Sequence, residues 1–356
     1  MTNVRKMLMA VLTLILAFGL AACSSSSSSE KTEGSSEGSS EGTETADSGV
    51  QELTIKISHV VAENTPKHQG ALKMKEVIEK ESGGKIKVQV YPNSSLFGDK
   101  DEYQNLVADN VQFILPDMSK LVGNDPGFNI PAMPFLFKDD AAAEAFWDGE
   151  KGQEIFKRLE KDGVLGLSFW PNGAKHMTND KKPITKPEDL DGMKIRTQGG
   201  QLLEAIYSKL GAGSASIPFG ELYTALQQGT VDGQENTFSN IESKKFDEVQ
   251  KYMTIMGHTR VDYVLLTNTK FWDSLNDETK AVVQKGVDEA TKTARESAAQ
   301  LNEDALAKLK ENGQIEINEL SDEEIAAFKE ALQPVYDEYA KTIGEDIIKD
   351  AESRNN

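Results

Sequence analysis

The 356-residue chain has a single cysteine, and it lacks the sequence patterns that commonly support catalysis or metal binding. It contains no G-x-S-x-G nucleophile elbow, no phosphate-binding loop, no H-E-x-x-H or C-x-x-C pair and no EF-hand loop. Its four histidines, His59, His68, His176 and His258, are scattered without the spacing of a helical zinc site. We therefore expect a protein that is not an enzyme and that uses no cofactor and no metal ion.

Basic residues are also few, because 39 lysines and arginines stand against 58 aspartates and glutamates, for a formal charge of −19. Residues 1–22 contribute +2 and residues 24–49 contribute −5, so the 307 residues from 50 to 356 carry −16. A body this acidic repels nucleic acid and anionic lipid through its general field. Nucleic acid is therefore excluded as a partner, and an anionic ligand needs a local cluster of basic side chains.

The first 22 residues have the organisation of an export signal. Two basic residues precede an apolar run over 7–20, which is too short to span a bilayer as a helix. Residues 20–23 (LAAC) resemble the lipobox of bacterial lipoproteins, in which the cysteine is lipidated; the alternative is an ordinary signal that is cut near Cys23. Because an unpaired thiol in an exported protein needs an explanation, we predict a lipoprotein signal peptide at 1–22. Lipidated Cys23 would anchor an extracytoplasmic protein to the cell membrane.

A tract of Ser, Glu and Gly follows this cysteine, so that residues 23–49 comprise the lipidated Cys23 and a polar tail. The tail has six acidic residues, and Ala46 is its one apolar residue. It cannot bury enough apolar surface to fold. A flexible linker of this length spans roughly 30 Å, so we predict a disordered tether that holds a domain clear of the membrane.

Hydrophobic periodicity predicts an α/β fold for the body of the chain. Alternating apolar residues over 53–57 and 86–90 flank an amphipathic helix over 67–82, and such a βαβ unit requires a parallel sheet. A helical pattern continues over 277–311. That helix would be about 52 Å long, longer than a compact lobe of about 150 residues is wide. One helix should therefore span two lobes.

Two lobes of about 150 residues account for the 307 residues of the body, and no low-complexity gap separates them. We therefore predict two closely joined α/β lobes. A last helix should begin after Ser321, whose spacing to Glu324 fits a capping box, and Pro334 should kink or interrupt it. The predicted lobe I is 50–172 with about 262–300, and lobe II is 173–261 with about 301–350.

Polar side chains lie at the ends of several predicted strands, which is where α/β sheets bind ligands. Lys175 follows the apolar run 164–169, Arg196 ends a strand over 193–196, and Asn236 follows a glycine turn. Together they offer a bidentate guanidinium, a second cation and an amide. This set suits a small organic acid with two carboxylates.

Six further side chains are lower-ranked candidates for contacts with such a ligand. The Tyr223 hydroxyl can reach a buried carboxylate while its ring packs. Trp170 and Phe219 can pack on the carbon chain of a ligand, although aromatic residues beside strands also belong to cores. The face of the first lobe offers Glu102, Gln69 and Ser119.

Longer stretches resemble one family, the DctP-type solute-binding proteins of TRAP transporters. Residues 217–229 (IPFGELYTALQQG) and 231–236 (VDGQEN) look like its signature, and the resemblance extends from about residue 53 to 345. Other matching segments are PEDL at 187–190, KIR at 194–196, FDEVQKY at 246–252, KFW at 270–272 and PAMPFLF at 131–137.

The resemblance implies a two-lobed α/β fold like that of periplasmic binding proteins, in which the lobes close on a ligand at a hinge and a long helix spans both. It also implies delivery of the ligand to a sodium-coupled membrane permease. It also implies that Arg196 holds a ligand carboxylate and that Asn236 is a further ligand contact. Lys175, with residues 91–100 and 119–121, resembles the C4-dicarboxylate-binding branch. Ala174 and Thr237 depart from the common pattern of the family and leave the ligand open.

The sequence therefore predicts an extracytoplasmic receptor for a C4-dicarboxylate such as malate, fumarate or succinate, which works with a TRAP permease. A sugar acid or another monocarboxylate remains an alternative ligand, since an arginine serves either. A subunit that presents a ligand to a membrane sensor is an alternative role, and an enzyme acting on organic acids is disfavoured by the missing catalytic patterns.

Overall fold

A computed structural model describes residues 49–356, so the predicted signal at 1–22, Cys23 and the tether up to residue 48 lie outside the described residues. The described chain forms two β-sheets surrounded by helices. The strands are β1 (Leu53–Ser58), β2 (Ile86–Tyr91), β3 (Phe113–Ile114), β4 (Val164–Ala174), β5 (His176–Asn179), β6 (Lys194–Thr197), β7 (Gly213–Ser216), β8 (Gly233–Asn236), β9 (Tyr252–Ile255), β10 (Arg260–Asn268) and β11 (Glu316–Glu319).

None of the helices in residues 49–356 combines the length and the apolar character that a transmembrane span needs. Short 3-10 helices cover Met118–Leu121, Pro126–Ala132, Arg158–Asp162, Pro187–Leu190, Phe219–Glu221 and Phe246–Glu248. The α-helices are α1 (Pro66–Glu81), α2 (Glu102–Val107), α3 (Asp140–Trp147), α4 (Glu150–Lys157), α5 (Gln201–Lys209), α6 (Leu222–Gln227), α7 (Phe238–Ser243), α8 (Thr269–Ser274), α9 (Asp277–Asn312), α10 (Asp322–Ile343) and α11 (Glu345–Ser353).

The first sheet has the strand order β2-β1-β3-β10-β4. β1 and β2 pair in parallel along their full length, and α1 connects them and packs on β2. The alternation that predicts β1 is real, since Ile55 and Ile57 are fully buried while Lys56 between them is partly exposed. This confirms the predicted βαβ unit. β10 returns later in the chain and pairs antiparallel with β3 and β4.

The second sheet has the order β11-β9-β5-β8-β6-β7. The chain passes between the sheets from β4 to β5, back from β9 to β10, and again through α9 to β11. We call the part built on the first sheet the first lobe, and the part built on the second sheet the second lobe. The boundaries predicted for lobes I and II remain a prediction; β4 extends to Ala174, and α11 packs on α3 of the first lobe.

Helix α9 bridges the lobes, as predicted. The Asn276 side chain caps its first turn by accepting a hydrogen bond from the Thr279 amide, and Gly313 ends it in the left-handed conformation with φ of 61°. α9 packs against α1 and β4 of the first lobe and against α7 of the second. At Gly286 the approach to α1 is so close that a Cβ atom would collide with Ile78. A helix held on both sides in this way can act as a rigid strut beside the hinge.

The capping box of α10 is present, because the Ser321 hydroxyl accepts from the Glu324 amide and the Glu324 carboxylate accepts from the Ser321 amide. The predicted interruption at Pro334 does not occur, and α10 continues to Ile343. Pro334 lies on the exposed side of the helix. There, water can hydrogen-bond the backbone carbonyl that loses its partner to proline, which lowers the cost of the residue.

Candidate ligand-binding site

A cleft between the two sheets collects polar side chains from both lobes. With the lobes closed on each other it leaves a cavity of only about 30 Å³, enough for a water molecule or two. β6 and β8 are parallel neighbours, so Arg196 and Asn236, near their carboxyl ends, lie at one edge of the second sheet. Other lining residues are Lys67, Asp99 and Glu102 of the first lobe and Gln198, Phe219 and Asn240 of the second.

Arg196 is fully buried and only partly hydrogen-bonded. Its Nε donates to the Ile217 carbonyl at 2.9 Å, whereas Nη1 and Nη2 have no hydrogen-bond partner anywhere in residues 49–356. Burial lowers the pKa of the guanidinium to about 10, against the opposing effect of nearby Asp99, Glu235 and Asp117. It remains charged at neutral pH. A buried cation with two free nitrogens on one face is suited to a carboxylate, whose two oxygens match them.

Lys67 and Glu102 form the floor of the cleft in the first lobe. The Lys67 ammonium donates to the Leu115 carbonyl at 2.7 Å and lies 3.5 Å from the centre of the Tyr263 ring. Burial lowers its pKa to about 8, although Glu102, Asp117 and Asp99 raise it. Two of its three N–H groups are not used by that carbonyl. These N–H groups are available to an anion, whose charge would raise the pKa of Lys67 and keep the ammonium protonated.

The carboxyl group of Glu102 is buried beside this ammonium. Its Oε1 accepts from the Ser58 hydroxyl at 2.8 Å, and among the described residues Oε2 has no partner. Burial raises the pKa of Glu102 to about 8, in spite of Lys67 and the Ser58 hydrogen bond. The group therefore holds a proton at neutral pH, when it adds no negative charge to the cleft.

Two polar contacts close the cleft by joining the lobes. Lys120 of the first lobe forms an ion pair with Asp99 at 3.0 Å and donates to the Gln198 carbonyl of the second lobe at 2.5 Å. The Asp99 carboxylate in turn accepts from the Phe219 amide at 3.3 Å. One ion pair of the first lobe thus holds two backbone groups of the second, which is the arrangement of a closed cleft.

Of the nine predicted site residues, the structure brings four to this cleft. They are Arg196, Asn236, Phe219 and Glu102. The other five lie elsewhere: Lys175, Trp170, Tyr223, Ser119 and Gln69.

Lys175 is neutralised behind the cleft by a carboxylate of its own lobe. Its ammonium lies 2.5 Å from Glu235 Oε1, and both side chains are buried. The other oxygen of Glu235 accepts from the Tyr207 hydroxyl at 2.6 Å and lies 2.7 Å from His258 Nε2. Burial raises the pKa of Glu235, but Lys175 and His258 outweigh it and hold that pKa well below its usual value. Lys175 is therefore part of a buried ionic cluster. Since Lys120 is paired with Asp99, the second basic side chain that the cleft leaves without an ion pair in residues 49–356 is Lys67.

The other four residues do not line the cleft. The Trp170 indole donates to Thr291 of α9 at 2.9 Å in the core. The Tyr223 hydroxyl donates to Glu248 at the surface, and Gln69 is exposed. The Ser119 amide donates to the Asp117 side chain, which caps the turn that follows it, whereas the buried Ser119 hydroxyl has no hydrogen-bond partner in residues 49–356.

The sequence interpretation missed Lys67 and Lys120, although the rule of strand ends could have found both. Lys67 lies in the first turn of α1, which follows β1, and Lys120 follows β3. These positions face the second lobe across the cleft only because the lobes close on each other. No group of three or more His, Cys, Asp or Glu that could hold a metal occurs in the described part of the chain.

Comparison with known proteins agrees with this geometry. The model of the family described as bacterial extracellular solute-binding protein, family 7 (DctP) matches residues 57–342. The C4-dicarboxylate-binding periplasmic protein DctP of Rhodobacter capsulatus is 41% identical over 300 residues, which are 84% of this chain and 90% of that protein.

Solved structures share the fold over the same region. A TRAP periplasmic solute-binding protein from Shewanella oneidensis with bound succinate superposes with a TM-score of 0.84 at 36% identity, covering 85% of this chain and 99% of that one. The sugar-acid-binding protein DctPAm of Advenella mimigardefordensis, in complex with galactonate, superposes with a TM-score of 0.83 at 30% identity, covering 86% and 98%. The same fold thus encloses a dicarboxylate in one protein and a sugar acid in another.

Proposed function

The chain belongs to the DctP family of bacterial extracellular solute-binding proteins, which are TRAP transport receptors and not enzymes, and we propose that its own solute is a C4-dicarboxylate. The observation that carries this proposal is a pair of buried basic side chains that line the cleft from opposite lobes: Lys67, and Arg196, whose two terminal nitrogens lack a partner within residues 49–356. The solute is handed to the membrane subunits of a TRAP permease.

One carboxylate of the ligand binds Arg196 and the other binds Lys67. The two cations lie in different lobes, so a ligand with an anionic group at each end favours the closed cleft. Glu102 stays protonated beside Lys67 and does not repel the second carboxylate. Asn236 adds an amide donor, and the Phe219 ring covers the carbon chain of the ligand.

A sugar acid or another monocarboxylate is the alternative ligand, because Arg196 alone serves a single carboxylate. Lys67 distinguishes the two cases. Lys67 is only 1% exposed, and a monocarboxylate held by Arg196 leaves its ammonium without an anion. Burial of an uncompensated charge is costly, which favours the dicarboxylate.

Calorimetric titration with succinate and butyrate tests this function, since the two acids have the same number of carbons and differ in one carboxylate. We expect succinate to bind at least about 30-fold more tightly, which corresponds to about 2 kcal/mol, the lower end of the cost of breaking a buried charge pair. Lys67→Met should abolish most of this difference. The matched control is Lys270→Met, because the Lys270 side chain is 77% exposed and away from the cleft. Equal affinity for the two acids, or a clear preference for galactonate, would contradict the proposal.

We also propose that the protein is a lipoprotein with a signal peptide at 1–22, anchored to the cell membrane through Cys23. What supports this is the lipobox at 20–23, and the polar tract behind it offers no apolar face for membrane binding. Cys23→Ala should therefore release the protein from the membrane fraction into the soluble extracytoplasmic fraction. Cell fractionation with immunodetection measures this. If the processed variant stayed with the membrane, the anchor would lie elsewhere.

A further inference from the structure

Two asparagines line the cleft, and a chain of buried side chains determines how each is oriented. Asn240 Nδ2 donates to Asn236 Oδ1 at 2.7 Å, and Asn236 Nδ2 donates to Gln234 Oε1 at 3.0 Å. Gln234 Nε2 then donates to the Thr178 hydroxyl at 2.9 Å, which donates to Gln250 Oε1 at 3.1 Å. We call these five residues the amide relay; none is more than 3% exposed.

The direction of the relay is fixed at its far end. Gln250 Nε2 donates to the Val249 carbonyl at 3.2 Å, so its Oε1 has to face Thr178. A hydroxyl donates one hydrogen bond, and once the Thr178 hydroxyl donates to Gln250 it can only accept from Gln234. Every amide after it is oriented by the same reasoning. If one amide were flipped, its N–H group would face another donor, or its oxygen another acceptor, without water to compensate, which is costly.

The relay therefore gives the two asparagines different capacities. Asn236 Oδ1 is occupied by Asn240, so toward a ligand Asn236 presents a remaining N–H group, which suits a carboxylate oxygen. Asn240 Nδ2 uses one of its two N–H groups on Asn236, and the distinguishing feature of Asn240 is its Oδ1, which accepts from no donor in residues 49–356. Asn240 thus presents a carbonyl acceptor.

Other unsatisfied acceptors surround the same cleft. Gln198 Oε1 and Asp99 Oδ1 are buried and, like Asn240 Oδ1, have no donor in the described chain. The carboxylates of succinate and fumarate offer only acceptors at neutral pH. A hydroxyl on the carbon chain of the ligand supplies a hydrogen-bond donor for one of these acceptors.

We propose that Asn240, held as an acceptor by the amide relay, selects a hydroxylated C4-dicarboxylate such as malate over succinate. This inference rests on the proposed function and specifies its ligand. Asn240 contacts the hydroxyl of the ligand, while Gln234, Thr178 and Gln250 act as positioning residues that never touch it.

The test is the ratio of the dissociation constants of succinate and malate, both measured by calorimetry. We expect malate to bind about 2- to 10-fold more tightly to the unmodified protein, the range for one net hydrogen bond. Asn240→Ala should bring the ratio close to one, mainly through weaker binding of malate. A ratio of one in the unmodified protein, or an unchanged ratio in Asn240→Ala, would overturn the assignment.

The positioning role is tested with a matched pair of variants that lie outside the cleft. Thr178→Val removes the hydroxyl that orients the relay and should lower the ratio of the succinate and malate dissociation constants. Thr178→Ser keeps a hydroxyl and should leave that ratio unchanged. Loss of preference in both variants would assign Thr178 a packing role and overturn the relay. If neither succinate nor malate bound the folded, unmodified protein, the proposed function would be overturned instead, so the two failures are distinguishable.

Discussion

Arg196→Lys should weaken the binding of succinate or malate by about 30-fold or more. The substitution keeps the charge, but an ammonium acts as a point charge and cannot present two parallel N–H groups to one carboxylate. The loss corresponds to about 2 to 5 kcal/mol, the range for truncating a buried hydrogen-bonded charge pair. The site is fully buried, so water does not compensate for the missing bonds. Calorimetry on the folded variant measures the effect.

If Arg196 had a structural role instead, Arg196→Lys would lower the stability of the unliganded protein and leave its affinity for the ligand unchanged. We expect the reverse. The Arg196 guanidinium has one hydrogen bond within residues 49–356, from Nε to the Ile217 carbonyl, and no ion pair. The free energy of unfolding without ligand should therefore change little, while the stabilisation that ligand adds, RT ln(1 + [L]/Kd), should fall. Arg354→Lys is the control, because Arg354 pairs with Asp350 on the surface of α11. Near-native affinity in Arg196→Lys would refute the carboxylate clamp.

Most of the fold was predictable because its signals are local. The alternation in β1 and β2, the pattern of α9 and the capping box at Ser321 each depend on residues within a few positions of one another. Pro334 shows the limit of such rules. Its effect on α10 depends on which side of the helix faces water, and that is a property of the packed structure.

The candidate site was only partly predictable. The ends of neighbouring parallel strands meet, so the sequence locates Arg196 and Asn236 at one edge. It does not reveal which basic side chain is already neutralised. Lys175 lies 60 positions from Glu235 in the chain, and only the antiparallel pairing of β5 with β8 brings them together. The strand-end rule could have identified Lys67, which follows β1, but its position opposite the second lobe depends on closure of the two lobes.

Glu235 collects three donors in a place that water does not reach. Lys175, Tyr207 and His258 all lie within 2.7 Å of its oxygens, and the Lys175 and Glu235 side chains are 1% and 0% exposed. Removal of one partner from such a pair leaves an uncompensated charge, whereas removal of both charges can be nearly neutral. The stability of this cluster thus depends on charge matching.

Lys175→Met should consequently lower the free energy of unfolding by about 3 to 5 kcal/mol at pH 7, and the double variant Lys175→Met/Glu235→Gln should recover much of this loss. Because the pKa of Glu235 is lowered in the folded protein, its contribution to stability is present above the pKa of an unfolded glutamate, about 4.3, and disappears as the pH falls toward the folded value. The deficit of Lys175→Met should therefore shrink below about pH 4. Urea unfolding across this pH range measures both effects. A deficit under about 1 kcal/mol at pH 7, or one that stays constant with pH, would mean that Lys175 does not balance the charge of Glu235.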